Sequence, residues 1–467
     1  MNKYKKLAKN SLVFAFGNMG SKFISFLLVP LYTYYLTSGD YGKVDIIITT
    51  ISIAVPIVSL SVTEGVFRFS LDKENDNKGV LSTSIILAAI GCSIFAILSP
   101  ILLSFGFMKN MYVYFAVILI LQIFQGILAQ FLRGIGKDKS YTMNSAVYAF
   151  AAAFLNILFL VYFHLGIKGY LLAQALSVLI SIIFLFINGN VYQYIDFSLV
   201  NIPLVKKILT YSLPLIPTSV SWWFVTGASR YIILGFLGAS ANGLFAVATK
   251  IPAMLTMISN IFSQGWQMSA VEENGASDNS KFYSNVLDYY FGIMAIGASM
   301  LLIVLKPTMS FIVDNSYFDS WQLVPFLFIG AIFSSINAFF GSIYSVMKKT
   351  TGIFKTAAVS GIVSIVISFI SIYLWGYIGA GLGQMFGWIV AAIYRMFDTR
   401  KYFKFEIHFL SYGISLLLIL LQTSTLFFLT GVFLYLIQTV LFLFVLYVNK
   451  KLFLSLYKLI IHKAKRN

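Results

Sequence analysis

The sequence predicts an all-α integral membrane protein of about fourteen transmembrane helices. It predicts two parallel-repeat six-helix lobes around a central cavity, followed by a C-terminal helix pair. Three observations support this reading: an apolar bulk composition, fourteen apolar segments of spanning length, and an internal repeat. Of 467 residues, 59% are hydrophobic, 17% aromatic and only 10% charged, with mean hydropathy +0.87. A soluble globular chain carries about 25% charged residues, so composition alone points to the bilayer. The single cysteine, Cys92, lies in an apolar run and cannot form an intramolecular disulfide. The basic start MNKYKKLAKN leads into a full apolar span with no small-residue cleavage site, so no removed signal peptide is expected.

A helix needs about 20 apolar residues to cross the hydrocarbon core. Segments of that kind fall at 11–36, 44–70, 80–105, 111–132, 141–163, 168–188, 211–237, 243–268, 284–305, 322–346, 354–375, 379–397, 408–429 and 431–449. The last two are separated by almost nothing. With fourteen helices both termini lie on one side of the membrane. If that side is cytoplasmic, inside loops and tails hold 26 Lys and Arg, and outside loops hold four: Lys43, Lys109, Lys168 and Lys306. That bias orients the chain with both ends inside. It also accounts for most of the net charge of +17, which leaves nucleic acid without support as a partner.

The repeat appears twice. SLVFAF…YYLTSGDYG from Ser11 aligns with SLPLIP…GFLGASANG from Ser212, pairing Leu36 with Leu237 and Gly42 with Gly243. GIKGYLLAQ (166–174) aligns with GYIGAGLGQ (376–384) at nearly the same offset. Two copies of six helices lie parallel, related by an axis along the membrane normal. The expected domains are therefore an N-terminal lobe 1–189, a cytoplasmic amphipathic linker 190–210, a C-terminal lobe 211–400, and helices 13 and 14 with a basic tail at 401–467. Two facing lobes suit a transporter.

Three basic residues fall within spans: Lys22, Arg230 and Lys250. A lysine at the bilayer centre costs roughly 2.5–3.5 kcal/mol on insertion scales. Lys22 is about 16 Å from Ser11 and 21 Å from Leu36 at 1.5 Å per residue. Its stem cannot snorkel that far, so it is read as lining a wet cavity rather than forming a buried ion pair. Arg230 and Lys250 lie only ~10–12 Å from the outer ends of their helices. They can snorkel, or act as a cation pair for an anionic guest.

Polar positions recur at helical spacing. The first segment has Ser11, Asn18, Lys22 and Ser25; the second has Asp45, Thr49, Ser52, Pro56, Ser59 and Thr63; the seventh has Ser219, Trp223, Thr226 and Arg230. Such stripes face a neighbouring helix or water. Glu64 and Arg68 are spaced to pair with each other. Asp45, Glu64 and Asp288 are the candidate carboxylates for proton or sodium coupling. The sequence shows no metal-ligand cluster, phosphate loop or nucleophile constellation, and no soluble domain large enough for an ATPase. An enzyme is not expected, and neither is a cofactor.

YYLTSGDYGKVDIIITTIS (34–52), YSLPLIPTSVSWWFVTGASRYIILGFLGASANGLFAVATKIP (211–252) and FSQGWQMSAVEE (262–273) resemble one family. It is the polysaccharide flippases of the multidrug/oligosaccharidyl-lipid/polysaccharide exporter superfamily. The family commonly has Asp before the arginine matching Arg230. Here Ser229 stands there, and Arg230 is expected to lack a neighbouring carboxylate. The resemblance implies alternating-access transport of an undecaprenyl-diphosphate-linked oligosaccharide from the inner to the outer leaflet of a bacterial cytoplasmic membrane. It implies membrane lipid and polysaccharide polymerase machinery as partners. Lys22, Arg230 and Lys250 would face the diphosphate or acidic sugars. Asn18, Ser25 and Thr226 would hydrogen-bond the glycan, and Trp223 with Trp222 would offer a ring platform. The alternatives are a peptidoglycan-precursor lipid flippase, a cation-coupled drug exporter and an integral-membrane glycan polymerase. A drug exporter predicts acidic cavity residues, and a polymerase predicts a large outside loop.

Overall fold

The structure is a computed structural model that describes residues 24, 26–72, 75–99, 110–272, 280–347, 350–401 and 405–452. Its described residues form helices and turns, with no strand among them. The helices are α1 (Phe26–Tyr35), α2 (Ser38–Val58), α3 (Val62–Ser70), α4 (Asn77–Leu98), α5 (Tyr112–Gly134), α6 (Asp138–Asn156), α7 (Gly166–Asn188), α8 (Ile202–Ser212) and α9 (Leu215–Thr226). They continue with α10 (Ala228–Ala248), α11 (Lys250–Glu272), α12 (Ser280–Ile312), α13 (Val324–Val346), α14 (Thr350–Trp375), α15 (Ile378–Thr399), α16 (Phe409–Phe428) and α17 (Gly431–Val448). An all-helical chain is what a bilayer demands, because every backbone polar group must be satisfied within its own segment.

Where the predicted segments fall on described residues, those residues are mainly helical. Among the described residues, however, eleven stretches are long and apolar enough to cross a membrane, or twelve if one bent pair counts as a span. The count of fourteen is not reached by that measure. The first segment is described only as the short α1. Positions 228–263 run together as one stretch. α15 carries Arg395 and Asp398 and falls outside the eleven.

Two predicted segments are also broken. The second was expected to run from 44 to 70, but α2 ends at Val58 and Leu60 and Ser61 turn left-handed, with φ of 55° and 52°. Pro56 lies inside α2, and the Ser61 N–H closes the turn by bonding back to the Pro56 carbonyl at 2.8 Å. The seventh is divided into α8, α9 and the first part of α10. The predicted linker holds two 3₁₀ turns, Val191–Tyr194 and Phe197–Leu199. The chain then turns through 116° into Ile202–Thr226. Asn201 caps α8 by accepting the Leu204 N–H at 2.9 Å.

The chain divides into two compact units, Gly17–Ala246 and Met1–Phe16 with Val247–Asn467. In the first unit α5 is central and packs against α2, α3, α4, α6 and α7. Its Phe115, Ile118, Leu119, Ile123, Ile127 and Phe131 recur at helical spacing and are fully buried. In the second unit α13 meets α11, α12, α14 and α15. Trp266 of α11 is buried there and stacks on Phe339, with ring centroids 4.7 Å apart. α16 and α17 turn at Gly431 and are joined by a reciprocal amide pair. Gln438 Nε2 donates to the Gln422 carbonyl at 2.8 Å, and Gln422 Nε2 to the Gln438 carbonyl at 3.2 Å. Hydrogen bonds replace the hydrophobic drive that lipid cannot supply.

The predicted repeat leaves two structural marks. Gly166 and Gly376, matched by sequence, both have positive φ, 55° and 62°, where each chain enters its next helix. The other mark is a backbone crossing. A Cβ at Gly42 would fall on the Ala239 carbonyl, and a Cβ at Gly243 would fall on the Ser38 carbonyl. The alignment equates 38 with 239 and 42 with 243, so the contact is reciprocal, as across a two-fold axis. Gly42→Ala and Gly243→Ala should each destabilise the protein by about 1–3 kcal/mol, the usual cost of overpacking. Gly235→Ala in α10, where a Cβ meets open space, should leave the Tm in detergent unchanged or raise it.

Candidate functional site

The strongest polar constellation among the described residues is in the first unit, where α2 meets α9 and α10. α10 is two helical pieces on either side of Gly238, whose φ is +82°. Asp45 projects from α2, Arg230 from the start of α10, and Asn242 from the piece beyond Gly238. Arg230 Nε donates to Asp45 Oδ2 at 2.6 Å, and the two side chains are only 13% and 12% exposed. Arg230 Nη1 donates to the Thr226 carbonyl, and the guanidinium carbon lies 5.0 Å from the Phe245 ring centre. Asn242 Nδ2 donates to the Gly42 carbonyl at 2.9 Å and to Asp45 Oδ2 at 3.3 Å. The Nη2 group of Arg230 has no hydrogen-bond partner among the described residues.

Further along α2, Trp223 Nε1 donates to the Thr49 carbonyl at 3.0 Å. The hydroxyls of Thr50 and Tyr231 share a hydrogen bond. Five polar links therefore tie α2 to the α9–α10 segment over two turns. A charge in this setting is costly alone and tolerable when paired, so Asp45 and Arg230 depend on one another.

The expectation that Arg230 lacks a carboxylate is overturned. Asp45, 185 positions earlier in the chain, supplies the neutralising charge that Ser229 does not. Sequence reading named both residues but gave them separate roles. Trp223, expected as a sugar platform, has its indole N–H engaged with α2. Thr226 is exposed, and its Oγ1 donates to the Trp222 carbonyl at 3.2 Å. Lys22, Asn18 and Ser25 lie outside the described residues. Lys250 opens α11 and is half-buried, in the second unit.

Of the other carboxylates, Glu64 is exposed on α3 and does not form the expected ion pair with Arg68, also exposed. Both side chains can stay hydrated there, and a solvated i, i+4 pair gains only about 0.2–0.5 kcal/mol. Asp288 has partners that its local sequence does not reveal. Its Oδ2 lies 2.9 Å from His408 Nδ1, and its Oδ1 accepts the Tyr412 hydroxyl at 2.8 Å.

Sequence reading also misplaced Arg395. Grouped with Arg400, Lys401 and Lys404, it was counted as an inside-loop cation. It is instead 4% exposed within α15. Its Nε donates to Thr356 Oγ1 at 3.1 Å and its Nη1 to the Asn337 carbonyl at 2.9 Å, tying α15 to α14 and α13. No group of three or more His, Cys, Asp or Glu among the described residues could hold a metal ion.

The model of a family described as "Polysaccharide biosynthesis protein" matches residues 7–266, more than half of the chain and all of the α2–α10 site. The chain belongs to this family. No curated protein matches it by sequence. By structure this polysaccharide biosynthesis protein is similar to the lipid II flippase MurJ in an inward closed conformation. The TM-score is 0.73 at 14% identity, covering 96% of this chain and 100% of that one. It is also similar to an inward-facing multidrug resistance MATE family transporter of the MOP superfamily, with TM-score 0.69 and 14% identity, covering 81% and 94%. A MOP superfamily transporter from Pyrococcus furiosus gives TM-score 0.62 at 14% identity, covering 86% and 98%. The polysaccharide biosynthesis protein thus has the fold seen in MATE and MurJ structures.

If Asp45 and Arg230 form one unit in this family member, their removal is not additive. Asp45→Ala and Arg230→Ala should each cost about 3 kcal/mol, the lower end for breaking a buried pair. The double variant should lose less than their sum by about 1–3 kcal/mol. Unfolding in detergent, followed by tryptophan fluorescence, measures all four corners of the cycle.

Proposed function

We propose that this protein is a flippase that moves an undecaprenyl-diphosphate-linked oligosaccharide across the bacterial cytoplasmic membrane by alternating access, for surface polysaccharide assembly. The family match carries the reading. The fold, shared with a lipid flippase and with exporters, is consistent with it. In-span charge gives the chemistry: Lys22, Arg230 and Lys250 are cations in segments of spanning character, and the diphosphate is an anion. Arg230 keeps its Nε edge on Asp45 and offers Nη2 to a phosphate or uronate oxygen. Lys22 and Lys250 supply further positive charge, and Asn18, Ser25 and Thr226 supply hydroxyl and amide contacts to sugar.

Proton coupling, in this proposal, runs through Asp45. Its protonation removes the charge that holds Arg230, loosens α2 from α10, and leaves the guanidinium to the substrate. The flipped glycan lipid would then pass to polymerase machinery on the outer face. A second reading, flipping of a peptidoglycan precursor, has the MurJ likeness over nearly the whole chain in its favour.

The test is flipping in liposomes. A diphosphate-linked oligosaccharide lipid is placed in the inner leaflet, and its exposure to an external hydrolase is followed. Exposure should depend on the protein and fall at least tenfold in Lys22→Ala, with Arg230→Lys retaining more activity than Arg230→Ala. Equal or faster exposure of a lipid-linked muropeptide would favour the second reading. No exposure of either lipid would refute a flippase. An imposed pH gradient should change the rate in the parent and not in Asp45→Asn.

A further inference from the structure

α5, in the first unit, carries a polar stripe that the α2–α10 site does not use. Gln122, Gly126, Gln130 and Arg133 step by four, four and three residues, so they share one face of the helix. The same face begins with Phe115, Ile118 and Leu119, which are fully buried. It then opens: Gln122, Gly126 and Gln130 are half-buried, and Arg133 is exposed. The face is thus closed at its Phe115 end and open at its Arg133 end, which the charge bias assigns to the cytoplasm.

The two amides are unanswered. Neither the Gln122 nor the Gln130 side chain makes a hydrogen bond among the described residues, and Gln130 Oε1 is itself buried. Gln125, by contrast, donates to Ser181 Oγ at 2.8 Å and so joins α5 to α7. A span either pairs its polar side chains with other helices or turns them to water or a guest. Two unpaired amides on one opened face belong to the second kind. Gly126 keeps the space between them free, since a Cβ there would lie 3.2 Å from the Thr63 methyl carbon of α3. At the open end, the Arg133 guanidinium carbon lies 4.7 Å from the Phe67 ring centre and 5.5 Å from that of Tyr141. Arg133 makes no ion pair among the described residues. Aromatic rings hold a guanidinium by its flat faces, which fixes the group and leaves its N–H edges available.

A primary amide both donates and accepts, as a sugar hydroxyl does. Gln122 and Gln130 are about 12 Å apart along the helix axis, so they meet different sugars of one chain. A guanidinium edge matches a phosphate and repels an organic cation. We propose that the Gln122–Gly126–Gln130–Arg133 face of α5 is a glycan-binding track. Gln122 and Gln130 hydrogen-bond sugar hydroxyls, and Arg133 takes the diphosphate as a lipid-linked oligosaccharide enters from the cytoplasmic side. The identity of the guest rests on the flippase reading, whereas the track itself is read out by binding.

Native mass spectrometry of the full chain in an uncharged detergent tests it. The probes are undecaprenyl diphosphate and the same lipid bearing neutral or uronate-containing trisaccharides. The parent should retain a glycosylated lipid about fivefold more tightly than the bare one. Gln122→Leu combined with Gln130→Leu should remove most of that advantage and leave retention of the bare lipid unchanged. Arg133→Gln should weaken both lipids about fivefold, and Arg133→Lys should weaken them less. The Tm of the leucine variant should not fall, because no hydrogen bond is lost; a fall would make the amides structural ties and overturn the proposal. It is also overturned by an advantage that survives in the leucine variant, or by a parent with no advantage for any trisaccharide. An advantage shown only by a lipid-linked muropeptide would replace it with a peptide track. Liposome flipping separates the two readings. A parent that shows the glycan advantage yet moves no lipid refutes the flippase and leaves the track. A parent that flips, with the advantage intact in the leucine variant, refutes the track alone.

Discussion

Low dielectric makes an isolated charge so costly that every in-span charge must find a partner or water, and the Asp45–Arg230 pair is where this chain meets that constraint. The pair joins α2 to α10. It is flanked by Asn242, which uses one amide to hold both the Asp45 carboxylate and the Gly42 carbonyl. Gly42 and Gly243 bring the two backbones close enough for those bonds to form. Take away the ion pair and α2 and α10 lose a charged tie beside the crossing. Take away the glycines and the pair cannot reach.

The same logic explains the second unit. Arg395 is buried and satisfied by a carbonyl and a hydroxyl. Gln422 and Gln438 satisfy one another, and Asp288 is held by His408 and Tyr412. In each case a polar side chain on one helix is answered from another. These ties are directional, so they fix helix rotation in a way that apolar packing in lipid does not. A transporter needs some ties to persist and others to exchange. The half-exposed Asp288–His408 pair and the deeper Asp45–Arg230 pair differ in how readily solvent or a ligand can compete for them.

Most of the fold was legible in the sequence because hydropathy is a bulk property of twenty residues at a time. Among the described residues the apolar segments are mainly helical, and the duplication reappears as matched glycines and a reciprocal crossing. Breaks were less legible. Pro56 was visible, but proline is tolerated in membrane helices often enough that its presence did not predict the turn at Leu60 and Ser61. The site was legible as a set of residue types and not as a set of pairs. Nothing local in the sequence links positions 45 and 230, or 288 and 408. The duplication did hold a signal: it aligns 38–42 with 239–243, and Asp45 and Asn242 flank that crossing. Arg395 was misplaced because charge density near a helix end reads as loop, whereas burial is decided by neighbours far along the chain.

The central claim is that Asp45 and Arg230 act as one unit whose exchange accompanies transport. Reversing the pair, Asp45→Arg with Arg230→Asp in one chain, tests it most directly against each single reversal in the liposome flipping assay. The account predicts that each single reversal abolishes flipping and that the double reversal recovers a substantial part of it. Both single reversals flipping at the parent rate, in folded protein, would contradict it.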